Sequence, residues 1–347
     1  MAKSSNNKRK YILISILIIV VVSLGVTGII LRNKIFEPFN LECPHYLYID
    51  DTKDFENVIG QLNKMNLPSE KVFRIISDRM RYPHAVKSGR YEVVDGMTMI
   101  DVVRMLRSGN QKAVNLTFNN IRTEENLAGR ISNQLMLDSV ELLNALSDRL
   151  VAEKYGFDEN TFVSMFIPNT YQVFWDTGVD NLLKRMKREY NSYWSDDRKA
   201  KADRLGLTPI QVSILASIVE EEATYADEYP IVAGLYLNRL ERGMKLEADP
   251  TVKYAIGDFA LRRILFRHLE VESPYNTYRV EGLPPGPIRV PSVAAIDATL
   301  SPQSHKYLFM CAKDDLSGRH NFAVTHAEHA RNAARYQRAL NERGIYR

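Results

Sequence analysis

Three consecutive carboxylates, Glu220, Glu221 and Glu222, close an otherwise apolar run that begins at Ser213. A carboxyl group held near a cleft can act as general acid or base, provided its surroundings keep it protonated close to neutral pH. The run reads as a helix: Thr208 can cap it, Pro209 suits its first turn, and Ile210, Ile214 and Ile218 recur at helical spacing. At 100° per residue Glu220 lies one turn beyond Ala216 and Ser217 and two turns beyond Ser213, so its stripe carries only small side chains. Glu221 continues the isoleucine stripe and Glu222 follows Leu215. This pattern selects Glu220 as the group that a bulky ligand can approach. The same small-residue stripe also reads as a packing seam, with the glutamates solvated at the helix end, and the segment alone leaves both readings open.

A second group of residues suits carbohydrate. Tyr275-Asn-Thr-Tyr278 precedes Gly282-Leu-Pro-Pro-Gly-Pro-Ile288 and Pro291, and four prolines and two glycines within ten residues preclude a helix or central strand there. On such a stiff loop, tyrosine rings can stack on pyranose faces while Asn and Thr bind hydroxyls. A surface crossover held by prolines explains the same residues. Asp249, before Pro250, reads either as a cleft carboxylate or as a turn starter. His326 and His329 stand at i,i+3 spacing near His320, but no third ligand motif or cysteine cluster accompanies them, so no metal is expected. No phosphate loop or nucleophile elbow is present, and no cofactor is expected.

The elements that must position these residues follow an N-terminal anchor. Met1–Lys10 carries Lys3, Lys8, Arg9 and Lys10, and Tyr11–Leu31 is 21 residues without a charge. At about 1.5 Å per residue this crosses a hydrocarbon core of about 30 Å. The basic flank predicts a cytoplasmic N-terminus, with the rest of the chain extracytoplasmic at the cell membrane. A cleaved signal peptide competes, but no Ala-x-Ala site closes the run. Residues 1–36 hold six Lys or Arg and no acid, so removing them from the formal net charge of +4 leaves −2 for the remainder. The working part thus lacks the basic footprint of a nucleic-acid binder. Cys43 and Cys311 are the two cysteines, which excludes a disulfide framework.

Beyond a tether at Pro38–Pro44, residues 40–112 read as a small α+β module: a strand at Tyr46–Ile49, helices at Asp54–Met65 and Glu70–Met80, a strand at Gly89–Val94, and a helix from a Thr98/Asp101 capping box to Gly109. Residues 113–347 read as a larger mixed α+β domain. It has a strand at Ala113–Phe118, helices at Glu124–Gln134, Ser139–Lys154, Asp180–Leu205 and Tyr229–Arg242, paired strands at Tyr307–Met310 and His320–Thr325, and a last helix at Ala327–Arg343.

Taken together, Ala216-Ser-Ile-Val-Glu220, Asn238-Arg-Leu240, Asp249-Pro-Thr-Val252, Tyr275-Asn-Thr-Tyr278, Gly282-Leu-Pro-Pro-Gly-Pro-Ile288 and His320-Asn-Phe322 closely resemble the MltG (YceG-like) endolytic murein transglycosylases, in order and approximate spacing. The anchor, the Gly89–Gly109 segment, which is similar to the family's LysM-like module, and Phe166-Ile-Pro-Asn-Thr-Tyr171 extend the likeness upstream. The chain departs from the family pattern at Ser164-Met165 and Asn169. The resemblance implies a membrane-anchored lyase that cuts MurNAc–GlcNAc bonds within peptidoglycan strands and leaves 1,6-anhydro-MurNAc ends, with cell wall synthases as candidate partners. It places the catalytic role on Glu220 and puts Asp249, Tyr275, Asn276, Thr277, Tyr278 and Asn321 around the cleft, Asp249 as a supporting carboxylate; Glu222 reads either as an orienting partner of Glu220 or as a solvated helix end.

One carboxyl group suffices for that reaction because the muramoyl C6 hydroxyl is the nucleophile; the acid protonates the leaving oxygen, then accepts the hydroxyl proton. A glycoside hydrolase usually needs two carboxylates. The acid step requires a raised pKa, expected at Glu220 from apolar Ile218 and Val219, the adjacent acids and the late helical position. A wall-binding scaffold without activity and a muramidase using Glu220 with Asp249 are the competing readings.

Overall fold

The computed structural model describes residues 3–65, 70–261 and 263–344, with side chains from Lys10 onward; Met1 and Ala2 of the basic N-terminal tail lie outside the described residues. The chain divides into two compact units, Met1–Asn115 with Gln172–Asp176, and Leu116–Tyr171 with Thr177–Arg347.

In the first unit, α1 (Lys3–Phe36) contains one stretch, Lys10–Phe36, long and apolar enough to cross a membrane. Its large side chains from Tyr11 to Ile30 are exposed, whereas Leu31 and Ile35 pack on the unit's core. Strand β1 (His45–Ile49) pairs antiparallel with β2 (Gly89–Val93), Leu47 opposite Tyr91. Between them run α2 (Phe55–Lys64) and α3 (Glu70–Arg79), and α4 (Met99–Ser108) follows, with both halves of its capping box formed and Gly109 in the left-handed region at its end. Alternate residues of the strands and one stripe of each helix meet in a core that includes Leu47, Tyr91, Phe73, Tyr82, Val102 and Leu106. This arrangement follows from the period-2 and period-3.6 patterns.

Strand β3 (Val114–Phe118) pairs with β4 (Asn169–Val173). The second unit continues with α5 (Glu124–Ser132), α6 (Ser139–Leu146), α7 (Arg149–Lys154), α8 (Val179–Tyr193), α9 (Asp196–Arg204), α10 (Pro209–Glu222), α11 (Tyr229–Glu241), α12 (Asp249–Ile256), α13 (Val293–Leu300), the antiparallel pair β5 (Phe309–Ala312) and β6 (His320–Ala323), and α14 (His326–Glu342). Two helices expected to be continuous are broken. Asp148 caps a new helix by accepting from Leu150 and Val151 N–H, and Ser195 does so from Arg198 N–H. Short Asp and Ser side chains satisfy orphan N–H groups at a fresh N-terminus, so they terminate one helix by starting another. Strand β4 and helices α12 and α13 lie in stretches to which no element is assigned from sequence.

The centre of this unit is α10. Thr208 and Gln211 form its capping box, and Val212 to Val219 are all buried. A helix buried on every side needs neighbours all round, and α9, α11, α12 and α13 supply them. The stripe of Ser213, Ala216 and Ser217 is fully packed, and Ser217 Oγ accepts from Ile288 N–H at 3.0 Å. The small residues are therefore the seam that lets the proline loop approach the helix.

Candidate active site

The three glutamates leave the buried helix in different directions and meet different chemistry. Glu220 faces a cavity of about 550 Å3 lined by Asn119, Asn120, Arg122, Tyr229, Arg289 and Ser292, among others. Its Oε2 accepts from Ser292 N–H at 2.7 Å, at the N-terminus of α13, and its Oε1 lies 3.5 Å from Arg289 Nη2. Ile218 and Val219, expected as its apolar surroundings, are buried in the core instead. Both carboxyl oxygens of Glu220 therefore already face donors supplied by the protein. Glu221 is held by two guanidinium groups: Arg122 Nε and Nη2 donate at 3.1 and 3.0 Å, and Arg289 Nη1 at 2.6 Å.

Glu222 enters a separate cavity of about 260 Å3 with Tyr236, Arg239, Asp249, Tyr278 and His320 in its wall. Tyr236 Oη donates to Glu222 Oε1 at 2.8 Å, and among the described residues Oε2 has no hydrogen-bond partner. Burial pushes the Glu222 carboxyl up to about 7, with the charge of Asp249 adding to the effect and the Tyr236 hydrogen bond, Lys253 and Arg239 opposing it. Tyr236 is raised well above its ordinary value by burial and then by the Glu222 charge, and Tyr278 is raised by burial and then by Asp249. Both phenols therefore stay donors. A carboxyl group half protonated near neutral pH, with one oxygen fixed and the other free, can give and take a proton.

The walls of this cavity are built by residues whose polar atoms are already committed. Arg239, buried in α11, donates to the carbonyls of Leu308, Lys245 and Leu246 at 2.6 to 2.9 Å and to Glu247 at 3.0 Å, joining β5 to the loop before α12. Thr277 Oγ1 accepts from Ala248 N–H at 3.0 Å and lies 2.8 Å from Thr251 Oγ1, which fixes the start of α12 and with it Asp249. Asn276 Nδ2 donates to Leu269 and Val271 carbonyls at 2.9 and 2.8 Å, and its Oδ1 accepts from Tyr278 N–H at 3.1 Å. Tyr278 Oη then donates to Asp249 Oδ1 at 2.7 Å. His320 is anchored by Glu228, which accepts from its backbone N–H and stands 3.0 Å from Nδ1.

Of the residues selected from sequence, Glu222, Asp249 and Tyr278 are thus brought together, and Glu220 is not among them. Asn276 and Thr277 are fully buried and hold backbone rather than facing a cleft. Asn321 donates to Asp314 at 3.2 Å and lines neither cavity, while its neighbour His320 does. Tyr275 lines a third cavity of about 480 Å3, with Tyr254 and Phe259, that shares Arg122 and Arg289 with the cavity of Glu220. His326 and His329 flank the ring of Phe309. Tyr236, Arg239, Arg122 and Arg289 were not selected as site residues. Arg289 carries a usable signal: a lone charge between Ile288 and Val290 in a proline-stiffened segment must find a partner inside.

Four of the motifs that recur in order along the chain, those of Arg239, Asp249, Tyr278 and His320, therefore deliver one side chain each to the cavity of Glu222. The profile of the YceG-like family matches residues 47–335. The chain belongs to the YceG-like family. Among its relatives, the endolytic murein transglycosylase of Bacillus subtilis (strain 168) is 28% identical over 307 residues, covering 83% of each chain. The endolytic murein transglycosylase of Streptococcus pneumoniae serotype 2 (strain D39 / NCTC 7466) is 29% identical over 177 residues, 49% of this chain and 31% of the relative. The crystal structure of a YceG-like protein from Listeria monocytogenes superposes with a TM-score of 0.54 at 23% identity, over 84% of this chain and 99% of that one, which shows a shared fold.

Proposed function

We propose that this YceG-like protein is a peptidoglycan lytic transglycosylase in which Glu222 is the proton donor and acceptor. The observation that carries the assignment is the cavity of Glu222: a carboxyl pushed up to about 7, fixed at one oxygen by Tyr236 and surrounded by the residues of the ordered motifs. The curated relatives named endolytic murein transglycosylase support the reaction class. In the forward step protonated Glu222 gives its proton to the glycosidic oxygen as the MurNAc C1–O bond breaks, and the GlcNAc 4-hydroxyl leaves. The C6 hydroxyl of the same muramoyl residue bonds to C1, and its proton passes to the Glu222 carboxylate. The acid is regenerated, no water is consumed, and the product is a 1,6-anhydro end. Asp249, held by Tyr278, stands in the same cavity, and its charge favours the protonated state of Glu222.

Glu220 is the second reading, favoured by the greater volume of its cavity. Chromatographic analysis of muropeptides released from purified sacculi separates the two. Glu222→Gln is expected to lower formation of anhydro ends by at least about 100-fold, the scale of general acid catalysis, while Glu220→Gln retains most of it. Loss confined to the Glu220 variant returns the role to that residue; reducing ends indicate a muramidase, and no product a binding scaffold.

The exposed apolar stretch of α1 supports a single-pass anchor, and the basic residues before it support a cytoplasmic N-terminus with the chain beyond the span outside. The unit that follows is read as a LysM-like holder of glycan, with lipid, the nascent strand and wall synthases as the protein's partners.

A further inference from the structure

Glu220 and Glu222 lie some 200° apart around α10, so their cavities open on opposite flanks of the helix. On the Glu220 flank, the cavity of about 550 Å3 adjoins the cavity of about 480 Å3 that holds Tyr275, with Arg122, Arg289 and Val290 lining both. The two form one trough, and its chemistry changes along its length. At the junction, Glu221 accepts from both arginines, so the two guanidinium groups are fixed. Arg289 is only 9% exposed; Nη1 and Nη2 bond Glu221 and Asn120, but its buried Nε–H has no partner. That Nε–H is sealed from solvent, so the guanidinium that a ligand can reach at the junction is that of Arg122, whose side chain is 38% exposed. At the far end stand Glu124, Glu125 and Glu159, beside the rings of Tyr254 and Phe259. No ion pair engages these three carboxylates among the described residues.

A ligand that fits offers a carboxylate or amide carbonyl to the junction and an ammonium to the acidic end, on a backbone short enough to lie between them. A peptide containing a diamino acid has that chemistry. The glycan itself, built of hydroxyls and acetamido groups, does not. We propose that the trough binds the peptide branch carried by the muramoyl residues of the strand, with an acceptor on the Arg122 guanidinium and the amine among Glu124, Glu125 and Glu159. The inference rests on the peptidoglycan reading above and adds a specificity site to it: strands that bear peptides are held on one flank of α10 while the bond is cut on the other.

The test compares full-length protein in detergent on strands from one preparation, either carrying peptides or stripped of them by an amidase. The unaltered protein is expected to show a kcat/KM roughly tenfold or more higher on peptide-bearing strands, equivalent to about 1.4 kcal/mol. Arg122→Met and, at the exposed rim, Glu159→Gln should each bring that ratio toward one. Equal rates on both strands, or a ratio unmoved by Glu159→Gln, overturn the proposal. Calorimetric titration with a free tetrapeptide of L-Ala, D-Glu, a diamino acid and D-Ala decides the site without turnover: Glu222→Gln protein should bind it and the Glu222→Gln/Glu159→Gln protein should bind it several-fold more weakly. Absence of binding to the first sinks the site. Absence of anhydro ends from either strand sinks the catalytic reading alone.

Discussion

At the scale of single residues, adjacent carboxylates acquire different roles from their surroundings. Glu220 accepts from the backbone N–H of Ser292 before α13, Glu221 clamps two arginines, and Glu222 keeps one oxygen free in a cavity where burial pushes it up to about 7. The last property predicts the pH dependence. The acid step needs the protonated form, so the rate should fall as pH rises through about 7, on the alkaline side of the profile. Asp249 contributes to that elevation; replacing it by Asn removes a negative neighbour and should move the falling limb to lower pH, read as kcat/KM against pH on soluble glycan strands. A limb that stays in place in the Asp249 variant would separate the two carboxyls. The need for a raised carboxyl was legible from the reaction, but the surroundings of each glutamate were not, because helical phase says which way a side chain leaves a helix and not what waits there.

The elements explain how distant motifs reach one cavity. Thr208, Pro209 and the isoleucines made α10 legible, as the capping box of α4 did for the first unit. By contrast α12 begins at Asp249-Pro250 within a stretch without apolar periodicity, and its N-terminus is fixed by Thr277 from another segment. Its one local signal was Pro near the first turn. The proline loop against α10 depends on close approach at Gly286, where a Cβ would run into the Asn160 carbonyl and lie 2.8 Å from Tyr275 Oη. Gly286→Ala should therefore lower stability by about 1–3 kcal/mol, the cost of overpacking, seen as a reduced Tm. An unchanged Tm would mean that the loop yields without strain.

At the scale of the whole molecule, α1 and the rest of the chain are physically different. The remainder after residue 36 carries a formal −2, while α1 exposes an apolar surface that water does not tolerate. Removing residues 1–36 is expected to shift the protein from the membrane pellet to the soluble fraction on ultracentrifugation, with anhydro-product formation retained by the fragment. Leu31 and Ile35 pack on the core of the first unit, so the fragment should also melt at a somewhat lower temperature than the full chain.

What the amino-acid order determined alone is what depends on neighbours within a turn or two: the apolar span, most helices and strands, their caps, and a set of motifs whose order resembles one family. Local periodicity and capping chemistry act over those distances. Which glutamate sits beside Tyr236, Asp249 and Tyr278, and which beside Arg122 and Arg289, was decided by tertiary structure. Burial and Coulomb interactions depend on separations in space, and residues 14 to 99 positions apart in the chain meet there within about 3 Å.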